Sequence, residues 1–118
     1  MYKKRLEGDY VEDIYNSILA IEKYIKDYSF QEFEKDDKTY NAVIRMLEVI
    51  GEAAGKISEA LKNKYPEVEW AKIKGMRNRI AHEYFGVDLN IIWDITREDL
   101  SSLKESALKM LEELENEE

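Results

Sequence analysis

The stretch VEDIYNSILAIEKYIKDY, residues 11–28, decides the fold class. Its apolar residues Val11, Ile14, Ile18, Ile21, Ile25 and Tyr28 recur at spacings of 3, 4, 3, 4 and 3. Each residue of an α-helix turns the chain by about 100°, so this spacing lays the six side chains along one helical face. A half-buried strand would alternate every second residue instead. Asp9 stands where a capping residue is expected.

The same period continues through the chain. A second run begins near Asp37, with Tyr40, Val43, Ile44, Leu47, Ile50, Ile57 and Leu61 on its apolar side. It is predicted to end at NKYPEVEW, residues 63–70, where Pro66 cannot continue a helix. Between the two runs, DYSFQEFEKDD (27–37) reads as a connection with at most a short turn. Within the second run sits GEAAG (51–55). Two glycines in a helix interior cost roughly 1 kcal/mol each relative to alanine. They mark either a tolerated weak spot or, the preferred reading, a close approach by another helix or subunit.

A third helix is predicted from about Glu67 into the low 80s, with Gly86 as its stop. VDLNIIWDI (87–95) reads as a short helix bearing Leu89, Ile92 and Trp93. TREDLSSLKESALKMLEELENEE (96–118) is the last helix, in which Thr96 to Asp99 resemble a capping box. Its stripe is Leu100, Leu103, Ala107, Met110, Leu111 and Leu114, and its acidic end ELENEE (113–118) is expected to fray. The expectation is an all-α protein: an antiparallel helical bundle of four main helices plus a short one, in a single domain over residues 1–118.

Composition agrees and narrows the chemistry. The chain is 37% charged, with one proline, five glycines and no cysteine. Disulfides, thiolate catalysis and Cys-ligated zinc are therefore excluded. The basic start MYKKRLEGDY has no apolar run behind it, so it is not read as a secretory signal. No apolar stretch approaches the roughly 20 residues that span a membrane. A soluble cytoplasmic protein with no membrane partner is expected. The formal net charge of −8 argues mildly against non-specific nucleic-acid binding, but leaves room for a local basic patch.

Such a patch lies in GMRNRIAHEYF (75–85), which holds the single histidine, His82, close to Arg77 and Arg79. With Ile73 placed at zero on a helical wheel, Met76, Ile80 and Tyr84 cluster around it as a buried stripe. Arg77 falls at about 40°, Asn78 at about 140° and His82 at about 180°. A core histidine is thus disfavoured, leaving a surface histidine or a functional one. Asn78 and His82, at i and i+4, are within hydrogen-bonding reach. Lys72, Lys74, Arg77 and Arg79 form a basic face that either meets phosphate or is merely solvated.

RNRIAHEY (77–84) resembles the Arg-x4-His motif of HEPN-domain proteins, with the His-x-Tyr extension of the HepT-like branch. The resemblance extends to VIRMLEVIGEAAGKIS (43–58), YPEVEWAKIKGMRNRIAHEYFGVD (65–88) and IIW (91–93), in the same order, and covers most of residues 9–114. It implies a HEPN-like helical bundle that forms a homodimer. Active members of the family are metal-independent endoribonucleases that need no cofactor, often toxins of toxin–antitoxin pairs. The implied partner is an MNT-type minimal nucleotidyltransferase antitoxin, which can silence the nuclease by transferring AMP to the motif tyrosine. Residue by residue, Arg77 and His82 become the catalytic pair, Asn78 the polar residue beside them, and Tyr84 the AMP acceptor. Glu52, in the family-like GEAAG segment, either pairs with a basic residue of the site or serves packing alone.

The residue types suit that chemistry. Metal-free RNA cleavage uses the RNA's own 2′-hydroxyl, which must lose a proton while the leaving 5′-oxygen gains one. Histidine titrates near neutrality and suits both transfers. A fixed guanidinium can neutralise the charge that builds on phosphorus. Lys72, Lys74 and Arg79 would bind the RNA backbone. Residues five apart on a straight helix diverge by about 140°, so Arg77 and His82 cannot point together unless the helix loosens or two copies meet. The dimer is preferred. The alternative reading is a non-catalytic helical adaptor that binds and regulates a nucleotidyltransferase; the net negative charge favours it, and the intact motif favours the ribonuclease. No carboxylate spacing suggests a metal site. The RNA target, the cleavage position, the number of AMP units, the activity of this copy and assembly beyond a dimer are not encoded legibly.

Overall fold

The expected α1 forms over Glu7–Tyr24, one turn earlier than Asp9 alone would start it. Asp9 lies in the first turn, where its carboxylate accepts the Leu6 N–H at 3.0 Å. The computed structural model describes residues 6–81 and 88–116, and of Arg77 and Ala81 only the backbone. The described chain is helical: α2 Phe30–Lys35, α3 Asp37–Lys56, α4 Glu59–Asn63, α5 Trp70–Lys74, α6 Met76–Ala81, α7 Leu89–Asp94, a π-helical turn Ile95–Asp99, and α8 Leu100–Asn116.

α1 is the central element. Its isoleucines Ile14, Ile18 and Ile21 and α3's Val43, Leu47 and Ile50 are all nearly or fully closed to solvent. Directions follow from contacts at the ends. Glu7, at the start of α1, accepts the N–H of Ser58 just beyond the end of α3, at 2.6 Å. Glu22, near the end of α1, meets Lys104 near the start of α8 at 2.9 Å. α1 is thus antiparallel to both α3 and α8. The four-helix frame holds, with α5–α6 as one leg, α7–α8 as another and α2 and α4 as short additions.

Several boundaries differ from the sequence expectation, each for a local reason. The connection at 27–37 contains α2. Ser29 caps it by accepting the Glu32 N–H, while Glu32 accepts the Ser29 N–H in return. This helix delivers Phe33, fully buried, against Trp93 at 5.0 Å between ring centroids. The second predicted helix does not reach Asn63 unbroken. Ile57 is extended, and Ser58 caps α4 through the Leu61 N–H. The third begins at Trp70 rather than Glu67 and is interrupted at Gly75. A Cβ at Gly75 would stand 3.1 Å from the Ala71 carbonyl oxygen, closer than side chains tolerate comfortably. Ile73, Met76 and Ile80 stay on one buried face across the interruption.

Thr96 does not cap a new helix. Its hydroxyl donates to the Trp93 carbonyl at 2.7 Å, inside a helix that runs on from α7. The core positions here are Ile92, Ile95, Leu100, Leu103, Ala107 and Met110, at spacings of 3, 5, 3, 4 and 3. A step of five overshoots an α-helical face by about 140°. The wider π turn at Ile95–Asp99 takes up the extra residue and keeps the stripe facing the core. The acidic end is helical as far as Asn116. Within it Glu113 accepts hydrogen bonds from Lys64 at 2.8 Å and from the Tyr65 hydroxyl at 2.7 Å.

Two outcomes are expected. Phe33→Ala should destabilise the protein by about 3–5 kcal/mol and Ser29→Ala by about 1 kcal/mol in urea unfolding. Burial, then the hydrogen bond to Glu113, pushes the Tyr65 phenol up to about 12. A raised pKa stabilises the fold fully below the ordinary tyrosine value near 10 and ceases to do so as pH climbs through the folded value. Ultraviolet titration should show a late phenolate step that Tyr65→Phe removes.

Candidate functional site

α6 carries the Arg77–Asn78 pair on its first turns, directly after Gly75. Its backbone starts from the Gly75 carbonyl, which accepts the Arg79 N–H at 3.0 Å. Buried Met76 and Ile80 hold one side of α6 to the core, so Asn78 is exposed on the other. His82 and Tyr84 lie outside the described residues, and the side chain of Arg77 is not described.

The basic residues do not form one patch. Lys74 and Asn78 line a groove of about 230 Å³ together with Gly51, Glu52, Gly55 and Lys56 of α3. The tight approach expected at GEAAG is not what Gly55 shows: α5 and α6 do pack on α3, but over Gly55 the contact is of ordinary length and beside an open groove. Lys74 carbons come within 3.9 Å of where a Gly55 Cβ would sit, and Gly51 is buried. Lys72, two residues back and so turned by about 200°, leaves on the other side. Its ammonium donates to Asp99 of the π turn at 3.1 Å and lies 3.7 Å from Glu69. The hydrogen bond to Asp99 holds that ammonium above the usual lysine range. Arg79 is on this side too, near enough to Lys72 to oppose its charge. It is half-buried, and its Nη1 is enclosed without a hydrogen-bond partner.

The expected phosphate-binding face is therefore divided. Lys74 and Asn78 face α3, whereas Lys72 is engaged by a carboxylate and ties α5 to the π turn. Lys56 was not singled out from sequence. Its signal was its place four residues after Glu52 on α3, on a face that only the packing of α5 and α6 turns into a groove wall. Among the described residues neither Lys56 nor Lys74 has an acidic partner, unlike Lys64, Lys72 and Lys104.

An antiparallel all-α bundle in which the Arg-x4-His motif of the sequence begins at Arg77, on the helix beside α3, defines a protein of the HEPN class. The family described as Ribonuclease HepT-like matches residues 14–110, and this chain belongs to it. It is 44% identical over 101 residues to "Probable ribonuclease HepT" of Thermococcus cleftensis, covering 86% of this chain and 92% of that protein. It is 38% identical over 106 residues to "Gamma-glutamylcyclotransferase and putative RNase MJ0434" of Methanocaldococcus jannaschii, covering 90% of this chain but about half, 48%, of that longer protein. It is 34% identical over 103 residues to "Putative RNase TTE0752" of Caldanaerobacter subterraneus, covering 87% of this chain and 92% of that one. No solved structure matches. The enzyme class that the family carries is ribonuclease. Among the described residues no helix is long and apolar enough to cross a membrane.

The groove makes a stability prediction. Gly55 sits in the last turn of α3 with room for a Cβ. Gly55→Ala should therefore raise stability by up to about 1 kcal/mol, read from the urea midpoint.

Proposed function

We propose that the protein is a metal-independent endoribonuclease toxin that cuts RNA through attack by the substrate's own 2′-hydroxyl, in a cleft shared by two subunits. The family membership carries this reading. It is supported by Asn78, the residue after Arg77 on α6, which lines a groove together with Lys56 and Lys74.

In this mechanism the imidazole of His82 exchanges protons with the reacting oxygens. A base takes the proton of the 2′-hydroxyl as that oxygen bonds to phosphorus, and an acid delivers a proton to the departing 5′-oxygen. The products are a 2′,3′-cyclic phosphate and a free 5′-hydroxyl. One chain has one histidine. A two-imidazole division of labour therefore draws the second from the partner subunit, which also removes the roughly 140° divergence between Arg77 and His82 on a straight helix. Arg77 neutralises the charge on the non-bridging oxygens, and Asn78 orients His82 or the phosphate. Lys74 supplies backbone attraction near the motif. Lys72 is held by Asp99 on the far side of α5–α6 and serves the fold, which leaves Arg79 as the cation on that side.

Regulation follows from the same site. An MNT-type nucleotidyltransferase partner would transfer AMP to the Tyr84 hydroxyl, expelling pyrophosphate from ATP. The added nucleotide puts bulk and negative charge beside the arginine, which blocks and repels RNA. The adaptor reading, which the net charge of −8 favours, makes the chain a catalytically silent partner of that transferase.

The purified protein is expected to cut RNA in the presence of a chelator. His82→Ala should lower the rate by about 10²–10⁴-fold with an unchanged circular-dichroism spectrum. Equal inertness of parent and variant, both as unmodified dimers, would favour the adaptor. Incubation with the transferase and ATP should add AMP mass at Tyr84, and Tyr84→Phe should prevent it; modification mapped to another residue would refute that assignment.

A further inference from the structure

We infer that a single-stranded extension of the substrate leaves the motif across α3, through the groove walled by Lys74 and Lys56, toward Tyr10 of α1. This deepens the ribonuclease reading and rests on it for the identity of the ligand as RNA. The groove opens beside Asn78, one residue from Arg77, and reaches Lys56 across Gly55. A second depression of about 120 Å³ continues it, sharing Glu52 and Lys56 and ending at Tyr10 and Asp13. The path thus runs from an amide, between two lysines, and past the carboxylates of Glu52 and Asp13 to an aromatic ring.

Three observations favour a nucleic-acid strand over a merely solvated face. First, Lys56 and Lys74 have no acidic partner among the described residues, although the chain is rich in carboxylates and pairs other lysines with them. Second, the glycine between them has no conformational reason to be there. Gly55 is not in the left-handed region, and a Cβ would make only ordinary contact with Lys74 carbons at 3.9 Å. A side chain is absent where one would stabilise the helix, and what its absence preserves is the opening of the groove. Third, two cations followed by a ring suit a single strand, whose phosphates take the lysines while a base, which carries no charge to be repelled by Glu52 and Asp13, stacks on the tyrosine.

The test uses His82→Ala full-length protein, so that RNA is bound but not cut, and a fluorescein-labelled single-stranded oligoribonucleotide of mixed sequence. Binding is followed by anisotropy across a salt series, while cutting by the wild-type chain is measured in parallel. Lys56→Gln and Lys74→Gln should each weaken binding several-fold and flatten the logarithmic salt dependence by about 0.7. Gly55→Leu, which fills the groove, should weaken binding at least as much. Tyr10→Leu should cost about tenfold on the single strand and little on a blunt RNA duplex. Lysine variants with the parent's affinity and slope would overturn the path. So would a Gly55→Leu protein that binds RNA normally but loses its dimer, because the groove would then be a contact between copies. If wild type cuts RNA and the lysine variants bind like the parent, only the path falls. If the lysine-dependent binding appears but wild type cuts nothing, the path stands and the nuclease reading falls.

Discussion

The packing of Ile14, Ile18 and Ile21 of α1 on Val43, Leu47 and Ile50 of α3 is the constraint on which the rest depends. These side chains are almost wholly removed from water. Burying each is worth about 1.5–3 kcal/mol, although part of that is already gained in compact unfolded chains. Once α1 and α3 are locked antiparallel, two surfaces become available. One side of α1 receives α8. α3 also receives α5 and α6, and with them the Arg77–Asn78 segment. The groove beside Asn78 is thus a by-product of the core: α3 presents apolar residues to α1 and its Gly55–Lys56 turn to the α5–α6 leg.

The two glycine positions on that leg and beneath it act differently. Gly75, between α5 and α6, suits its place because a Cβ there would crowd the Ala71 carbonyl at 3.1 Å. Gly55 is not required by backbone geometry or by crowding. The first shapes the helix break that starts α6 afresh just ahead of the motif; the second leaves space. The π turn at Ile95–Asp99 has a similar double role. It absorbs the extra residue that separates Ile95 from Leu100 in the core stripe, and in doing so places Asp99 against Lys72. A lysine that looked like a phosphate ligand is thereby committed to holding α5 in place.

Much of the fold was legible because burial imposes a period. The stripes read for α1, α3 and α8 hold most of the buried apolar residues of those helices, with Ile25, Tyr28, Tyr40, Ile44, Leu111 and Leu114 only partly buried at their edges, and the Leu89–Ile92–Trp93 segment is the short helix α7 that it resembled. The misread places were those where a local signal competed with that period. Ser29 and Glu32 form a capping box inside what looked like a connection, and its two phenylalanines are too few to show a stripe. Thr96–Asp99 has the letters of a capping box, but the helix passes through it. The step of five between Ile95 and Leu100 was the readable clue, since only a widened turn reconciles it with one buried face.

The sequence by itself determined the helical class, the core stripes and the family signature around Arg77 and His82, because periodic burial and motif spacing are properties of a single chain segment. Only the tertiary structure decided that the basic residues divide between two faces, that Lys72 belongs to Asp99, and that Lys56 joins Lys74 and Asn78 around one groove. Those are pairings across 18 to 27 positions of chain, from Lys56 to Lys74 and from Lys72 to Asp99. Charge and spacing along one helix carry no information about which distant element will pack against it.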